Sequence, residues 1–321
     1  MLRPHLPRQP QRSTRLLGST PIAPVARLVT GGLLRVLAYH DVTDSAIFAG
    51  HLDLIQTHYH PVTGEQVATA IRDGTGLPRR AIWVTFDDAN PGVFAIAMPL
   101  LAQRRVPATV FVCPGVVDTD QPYWWQVLDL ALSSGRRIVH NGMSWSDVSI
   151  ITHLKLVSDS SRRSTVARVL DELGEAGVSA AKPQATTAAL REWLDLGLDI
   201  GNHTWDHPCL DMCDDDQQRH QIVAANDWLS GLLGRQPHLF AYPNGNVAGP
   251  SRAVLTRLGY SVTALFDHRM ARPRGPEVSR LRIDADAPLE RMAAIASGAH
   301  SAAYALAQRL RRARAVPGAS G

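Results

Sequence analysis

Ala81–Ile82–Trp83–Val84–Thr85–Phe86–Asp87–Asp88 is the stretch on which the fold turns. An almost unbroken apolar run ends in two carboxylates. A strand with no polar alternation suits a sheet covered on both faces, as parallel sheets are. Asn90 and Pro91 then read as the N-cap and first residue of a helix. Val93, Ile96, Ala97, Leu100 and Leu101 share one face of that helix. The acids therefore stand at the C-terminal end of a buried strand, where active sites of parallel α/β folds collect.

Outward from this unit the same rhythm repeats. Leu33 to Val42 reads as a first strand carrying His40, followed by a helix from Phe48 to Tyr59. Ala108 to Cys113 is the next strand, closed by Pro114 and Gly115. After a helix near 187–196, a strand from Leu198 to Asn202 leads into His203. Asp214 caps a helix with Ile222, Ala225, Leu229 and Leu232 on its apolar face, and Gly234 ends it. A strand from Leu239 to Tyr242, a helix near 251–258, strands near 261–266 and 278–283, and a helix near 288–297 follow. Residues 118–186 break the pattern and predict a mostly helical insertion. Repeated strand–helix units argue for a parallel sheet. The expected fold is α/β, a distorted (β/α) barrel of about seven strands. Its expected bounds are 33–299, between a basic N-terminal arm over 1–32 and a basic tail over 300–321.

The chain has 321 residues, 45% hydrophobic and 19% charged, which describes a globular protein of enzyme size. Its formal charge of +4 is concentrated at the ends. Arg3, Arg8, Arg12 and Arg15 at the start, and Arg309, Arg311, Arg312 and Arg314 at the end, have no acids among them, so the remainder is net acidic. Such ends are solvated tails or contacts for an anionic membrane surface or an acidic partner. Without aromatic interleaving or a nucleic-acid motif, nucleic acid is not expected as a partner. Three cysteines, Cys113, Cys209 and Cys213, make no disulfide framework. With no recognisable export signal and no apolar run of about 20 residues, the expected setting is cytoplasmic, at or near the inner membrane face.

Two sequence words carry chemistry. Asp87 and Asp88 would repel one another unless a cation or shared proton intervenes; taken alone, such a pair also serves as a helix cap. His203 and His207, in His-Thr-Trp-Asp-His-Pro, can share a ligand whether in a helix or in a turn bounded by Pro208. One carboxylate and two imidazoles suit a metal centre, and a second carboxylate beside it suits proton transfer during hydrolysis. A closed structural zinc site of His203, His207, Cys209 and Cys213 is the rival reading, and it leaves the acids unexplained.

These words resemble those of the polysaccharide deacetylases, the NodB-homology group of carbohydrate esterase family 4. The family's T-F-D-D-G matches Thr85 to Ala89, H-[ST]-x-x-H-P matches His203 to Pro208, and F-A-Y-P-x-G matches Phe240 to Gly245. With Tyr39–His40, the spacing resembles one bacterial branch, and the likeness runs from about Leu33 to Ser297. The resemblance implies that Asp88, His203 and His207 hold a divalent metal, commonly Zn2+, with Co2+ or Ni2+ as alternatives. It implies Asp87 as general base and the Tyr242 backbone N–H as an oxyanion donor. The implied reaction removes an N-acetyl group from an amino sugar in a polysaccharide or glycan precursor. The alternatives are a deacylase of a non-sugar amide and a non-catalytic glycan-binding barrel.

Three departures stand out. The family's C-terminal Leu-x-His motif is absent, so the general acid falls to His40, with His300 the second candidate. Ala89 replaces glycine, which costs about 1 kcal/mol if the position needs a positive φ. The arginine that usually orients the base is missing before the third motif, and Arg280 or Arg282, beside Asp284, is the candidate substitute. Trp124, Trp125 and Trp205 are candidates for stacking on sugar faces.

Overall fold

The computed structural model describes residues 22–179 and 184–302. Eight strands form one curled parallel path: β1 (Arg35–Tyr39), β3 (Ala81–Phe86), β4 (Ala108–Val112), β7 (Asp199–Asn202), β8 (Leu239–Ala241), β9 (Val262–Ala264), β10 (Glu277–Val278) and β11 (Leu281–Arg282). Their spatial order is β10-β9-β8-β7-β4-β3-β1-β11, and a short β2 (His60–Pro61) also pairs with β3. The expected distorted barrel is borne out.

The strand expected over 278–283 is two strands instead. β10 lies at one edge of the path and β11 at the other, with only Ser279 and Arg280 between them. Two intervening residues hold the edges within roughly 10 Å. The chain itself therefore closes the ring where a ladder would otherwise run.

Alternation along the strands explains the apolar runs. Ile82, Val84 and Phe86 point outward, with Leu37, Tyr39, Val110 and Ile200, into a core shared with helix residues Phe48, Leu52, Ile55, Leu101, Trp193 and Met292. Val36, Trp83, Phe111, Leu239, Val262 and Val278 form the inward core. With side chains alternating at period two, Thr85 and Asp87 fall on the inner face with Trp83. A Cβ at Gly201 would lie 2.5 Å from the Phe111 ring and 3.0 Å from the Leu239 carbonyl oxygen. Only glycine lets β7 pass between them.

Residues 118–186 hold the helices Trp124–Ser133, Ser149–Leu154 and Asp159–Ser179, with an antiparallel hairpin, β5 (Ile138–His140) and β6 (Met143–Trp145). They have a small core of their own, including Val127, Leu128, Ile138, Ile150, Leu154 and Val169. Within the stretch expected as an arm, Ile22–Val29 is a helix; residues 1–21 and most of the basic tail lie outside the described residues. No described helix is long and apolar enough to cross a membrane.

Candidate active site

Asp87 follows β3 in register. Tyr39 pairs with Phe86, and the Asp87 N–H donates to the Tyr39 carbonyl at 2.9 Å. His40, next after Tyr39, therefore stands beside Asp87 at the rim. The chain then turns sharply: Asp88 has φ 68° and Ala89 φ 48°. This left-handed turn takes Asp88 out of the strand's alternation, so adjacent acids reach different places. It also confirms that Ala89 occupies a conformation glycine would adopt without strain.

Arg280 enters the barrel from the closing segment. Its Nη1 and Nη2 donate to Asp87 Oδ1 and Oδ2 at 2.6 and 2.9 Å, and its Nε donates to the Leu265 carbonyl at 2.7 Å. The guanidinium lies over Phe111 and Phe266, 5.5 and 5.7 Å from the ring centroids. Both charges are almost fully buried. Burial works to raise the Asp87 carboxyl, and Arg280, aided by His203 and His40, overcomes it and leaves it lowered. Arg280 is thus the candidate that meets Asp87; Arg282 pairs with Asp284 at 3.3 Å.

Asp88, His203 and His207 converge and are all buried, with ligand atoms within 4.8 Å of one another. Asp88 Oδ1 lies 3.5 Å from His203 Nε2 and 3.4 Å from His207 Nε2, and has no hydrogen-bond partner. His203 Nδ1 donates to the Ala241 carbonyl at 2.8 Å. A carbonyl brings no proton, so Nδ1 keeps its own, and Nε2, facing Asp88, is the nitrogen left to offer a lone pair to a cation once its proton is lost. Three donor atoms thus gather where a cation is the natural partner. Ligands about 2.1 Å from a tetrahedral ion sit roughly 3.4 Å apart, close to the observed separations. The residues fit a divalent metal.

The imidazoles differ electrostatically. Burial pushes His207 down to about 3, with His203 and Lys155 adding to it against the pull of Asp88. At His203 burial is outweighed by Asp87 and Asp88, and its pKa is raised. Burial would raise the Asp88 carboxyl, yet His207 and His203 hold it well below the ordinary carboxylate range.

The Tyr242 N–H, expected as an oxyanion donor, donates to the Ala264 carbonyl at 3.1 Å, extending the β8–β9 ladder by one residue. The motif reaches the site through the Ala241 carbonyl on His203. His40 packs edge-on against Phe266 at 5.8 Å, and its pKa is lowered by burial despite the opposing pull of Asp88 and Asp87. His300 is lowered by burial, then by Arg291 and His268, with neither site acid among its influences. Cys209 and Cys213 are free and do not join the three-residue cluster; the Cys213 thiol donates to the Cys209 carbonyl at 3.4 Å.

Tyr123 and Lys155, missed from sequence, come from the insertion, as do Trp124 and Trp125, expected only as stacking candidates. The Tyr123 hydroxyl donates to the Asp88 carbonyl at 2.9 Å, and Tyr123 stacks on Trp125, whose ring meets His207 edge-on at 4.6 Å. The Trp124 indole N–H donates to the His207 carbonyl at 3.3 Å. Lys155 Nζ donates to Asn244 Oδ1 at 2.6 Å. Trp205 is half-buried over Gly115, whose N–H donates to the Trp205 carbonyl at 2.7 Å. The aromatic run at 123–125 was the available signal. Its partners were not readable from spacing.

A family model for polysaccharide deacetylase matches residues 74–176 and 159–263. The poly-beta-1,6-N-acetyl-D-glucosamine N-deacetylase of Escherichia coli K12 is 23% identical over 237 residues, covering 73% of this chain and 32% of that protein. The chitooligosaccharide deacetylase of Sinorhizobium fredii is 34% identical over 86 residues, covering 26% of this chain and 37% of that protein. The chain thus spans about a third of the length of the curated relatives it matches. Among solved structures, the Streptococcus pyogenes deacetylase PplD in complex with acetate superposes with a TM-score of 0.57 at 18% identity, covering 81% of this chain and 96% of that one. IcaB from Ammonifex degensii gives 0.56 at 21% identity, covering 83% and 98%. At these identities the structural likeness is one of fold.

Proposed function

The chain belongs to the polysaccharide deacetylase family, and we propose that it is a metal-dependent hydrolase removing an N-acetyl group from an amino sugar in a glycan or glycan precursor. The observation that carries this reading is one arrangement: an unpartnered Asp88 oxygen between two imidazole Nε2 atoms, next to a base carboxylate gripped by Arg280.

A divalent ion held by Asp88, His203 and His207, zinc by our reading, would polarise the amide carbonyl and acidify a water. Asp87 supplies the base. Arg280 occupies one lone pair of each Asp87 oxygen and keeps the group ionised, so a remaining lone pair can accept a proton from the attacking water. His40, adjacent across the β1–β3 pair, is our candidate to protonate the departing amine. The β1–β3 register sets His40 next to Asp87, and neither site acid is among the groups that act on His300.

Asp87→Asn should abolish acetate release from N-acetylglucosamine oligomers while leaving metal content intact. Undiminished turnover would overturn the role. A panel that includes non-sugar amides decides the substrate class. Metal content of the purified protein decides against a binding-only barrel, which has no need of a stoichiometric ion.

A peripheral membrane contact, at the cytoplasmic face expected from sequence, is a further part of this proposal. The helix Ile22–Val29 exposes Ile22, Val25, Leu28 and Val29 by 46, 59, 72 and 82%, directly after the arginine-bearing start of the chain. An apolar helix face beside basic residues suits an anionic interface. Co-sedimentation with anionic but not neutral vesicles, lost in Val25→Glu/Leu28→Glu, is expected. Equal recovery from both vesicle types would refute it.

A further inference from the structure

The loop between the two histidines carries strain. Thr204 and His207 both have positive φ, 70° and 62°. Non-glycine residues in that region cost on the order of 1–3 kcal/mol each and persist where the surroundings over-determine them. On the barrel side, Gln221 does this: its Oε1 accepts from the Trp205 and Asp206 N–H groups at 3.0 and 3.2 Å, and its Nε2 donates to Asp206 Oδ1 at 2.8 Å. On the other side stands the insertion. Arg163 Nη1 and Nη2 donate to Asp206 Oδ2 and Oδ1 at 2.8 and 2.9 Å, a planar two-point grip. Arg163 Nε donates in turn to the buried Asp159 carboxylate at 2.5 Å, which also pairs with the buried Arg162. Arg162 lies 5.3 Å from the Trp124 ring centroid, and Trp124 donates to the His207 carbonyl. One helical turn of the insertion thus reaches the loop twice, through Asp206 and through Trp124.

We infer that Arg163 and Asp206 are positioning residues that lock His203 and His207 into ligating geometry, making the insertion part of the metal centre. The inference rests on the metal reading above. It deepens that reading by adding a lock formed between the insertion and the ligand loop. Outer contacts of this kind are worth about 10–100-fold in metal affinity.

The test is the dissociation constant for Zn2+, measured by chelator competition on the full chain, with apoprotein melting recorded in parallel. Arg163→Gln and Asp206→Asn should each weaken zinc binding about tenfold, and the double variant no further, because both remove one contact. Arg163→Lys should restore only part, since it keeps the charge and loses the fork. Arg168→Gln is the control: it breaks the Arg168–Glu172 pair and the Arg168 hydrogen bond to the Val139 carbonyl, both within the insertion and away from the loop, and should leave zinc affinity unchanged. Lowered melting with zinc affinity within twofold of wild type in Arg163→Gln and Asp206→Asn overturns the lock and leaves the metal reading standing. Wild-type protein that takes up no zinc brings down both.

Discussion

The strand rim and the insertion build two halves of one site by different means. β3 delivers Asp87 through backbone: the ladder to β1 fixes its height, the pleat fixes its side, and a left-handed turn carries Asp88 elsewhere. The insertion delivers nothing through a ladder. It reaches the site with side chains, from the Tyr123 hydroxyl, the Trp124 indole and the Arg163 guanidinium. It also keeps a hydrophobic core of its own. Changes at the rim should therefore disturb folding and chemistry together. Changes in the insertion should act on metal binding with a smaller cost to the fold.

The largest expected effect lies in the rim. Arg280→Met leaves Asp87 buried without its ion-pair partner, which costs about 3–5 kcal/mol in chemical unfolding and should remove activity. Adding Asp87→Asn should recover stability but not acetate release. Full stability in the single variant would show that the pair does not set the rim. Next comes acidity. His203, raised by the site acids, holds a proton in the metal-free protein at pH values where an ordinary imidazole has lost it, and a proton competes with metal. Zinc affinity should fall as pH drops through that raised value, approaching tenfold per unit for one competing proton. His207, pushed to about 3, adds no second proton in that window. Proton release close to two per zinc near neutrality would contradict this assignment.

On the insertion side, Trp124→Phe removes one hydrogen bond to the His207 carbonyl, about 1 kcal/mol. The expected result is zinc affinity several-fold weaker and a nearly unchanged melting temperature. A large melting shift without loss of affinity would erase the contrast between the halves. The smallest change returns to the rim. In Ala89→Gly, relief of a left-handed alanine worth about 1 kcal/mol opposes the loss of a buried methyl worth roughly 0.8 kcal/mol. Stability should stay within about 0.5 kcal/mol of wild type, as the two effects nearly cancel. A loss above about 1 kcal/mol would show that packing of the Ala89 methyl dominates its backbone strain.

What the sequence determined by itself is whatever short-range physics encodes. The apolar run at 81–86 specified a strand buried on both faces, the acids marked its functional end, and the Asp214 and Gly234 caps bounded a helix observed as Asp215–Leu233. Pleat, cap and turn preferences act over a few residues, so they can be read in order along the chain. Only the tertiary structure decided which distant groups meet. Arg280 and Asp87 are 193 positions apart and meet because two short strands at opposite edges are joined through Ser279 and Arg280. That same closure splits what the apolar pattern presents as one strand. The Tyr242 amide is taken by β9 and the Ala241 carbonyl turned to His203 because strand register allots each donor and acceptor, and register follows from how the whole barrel closes.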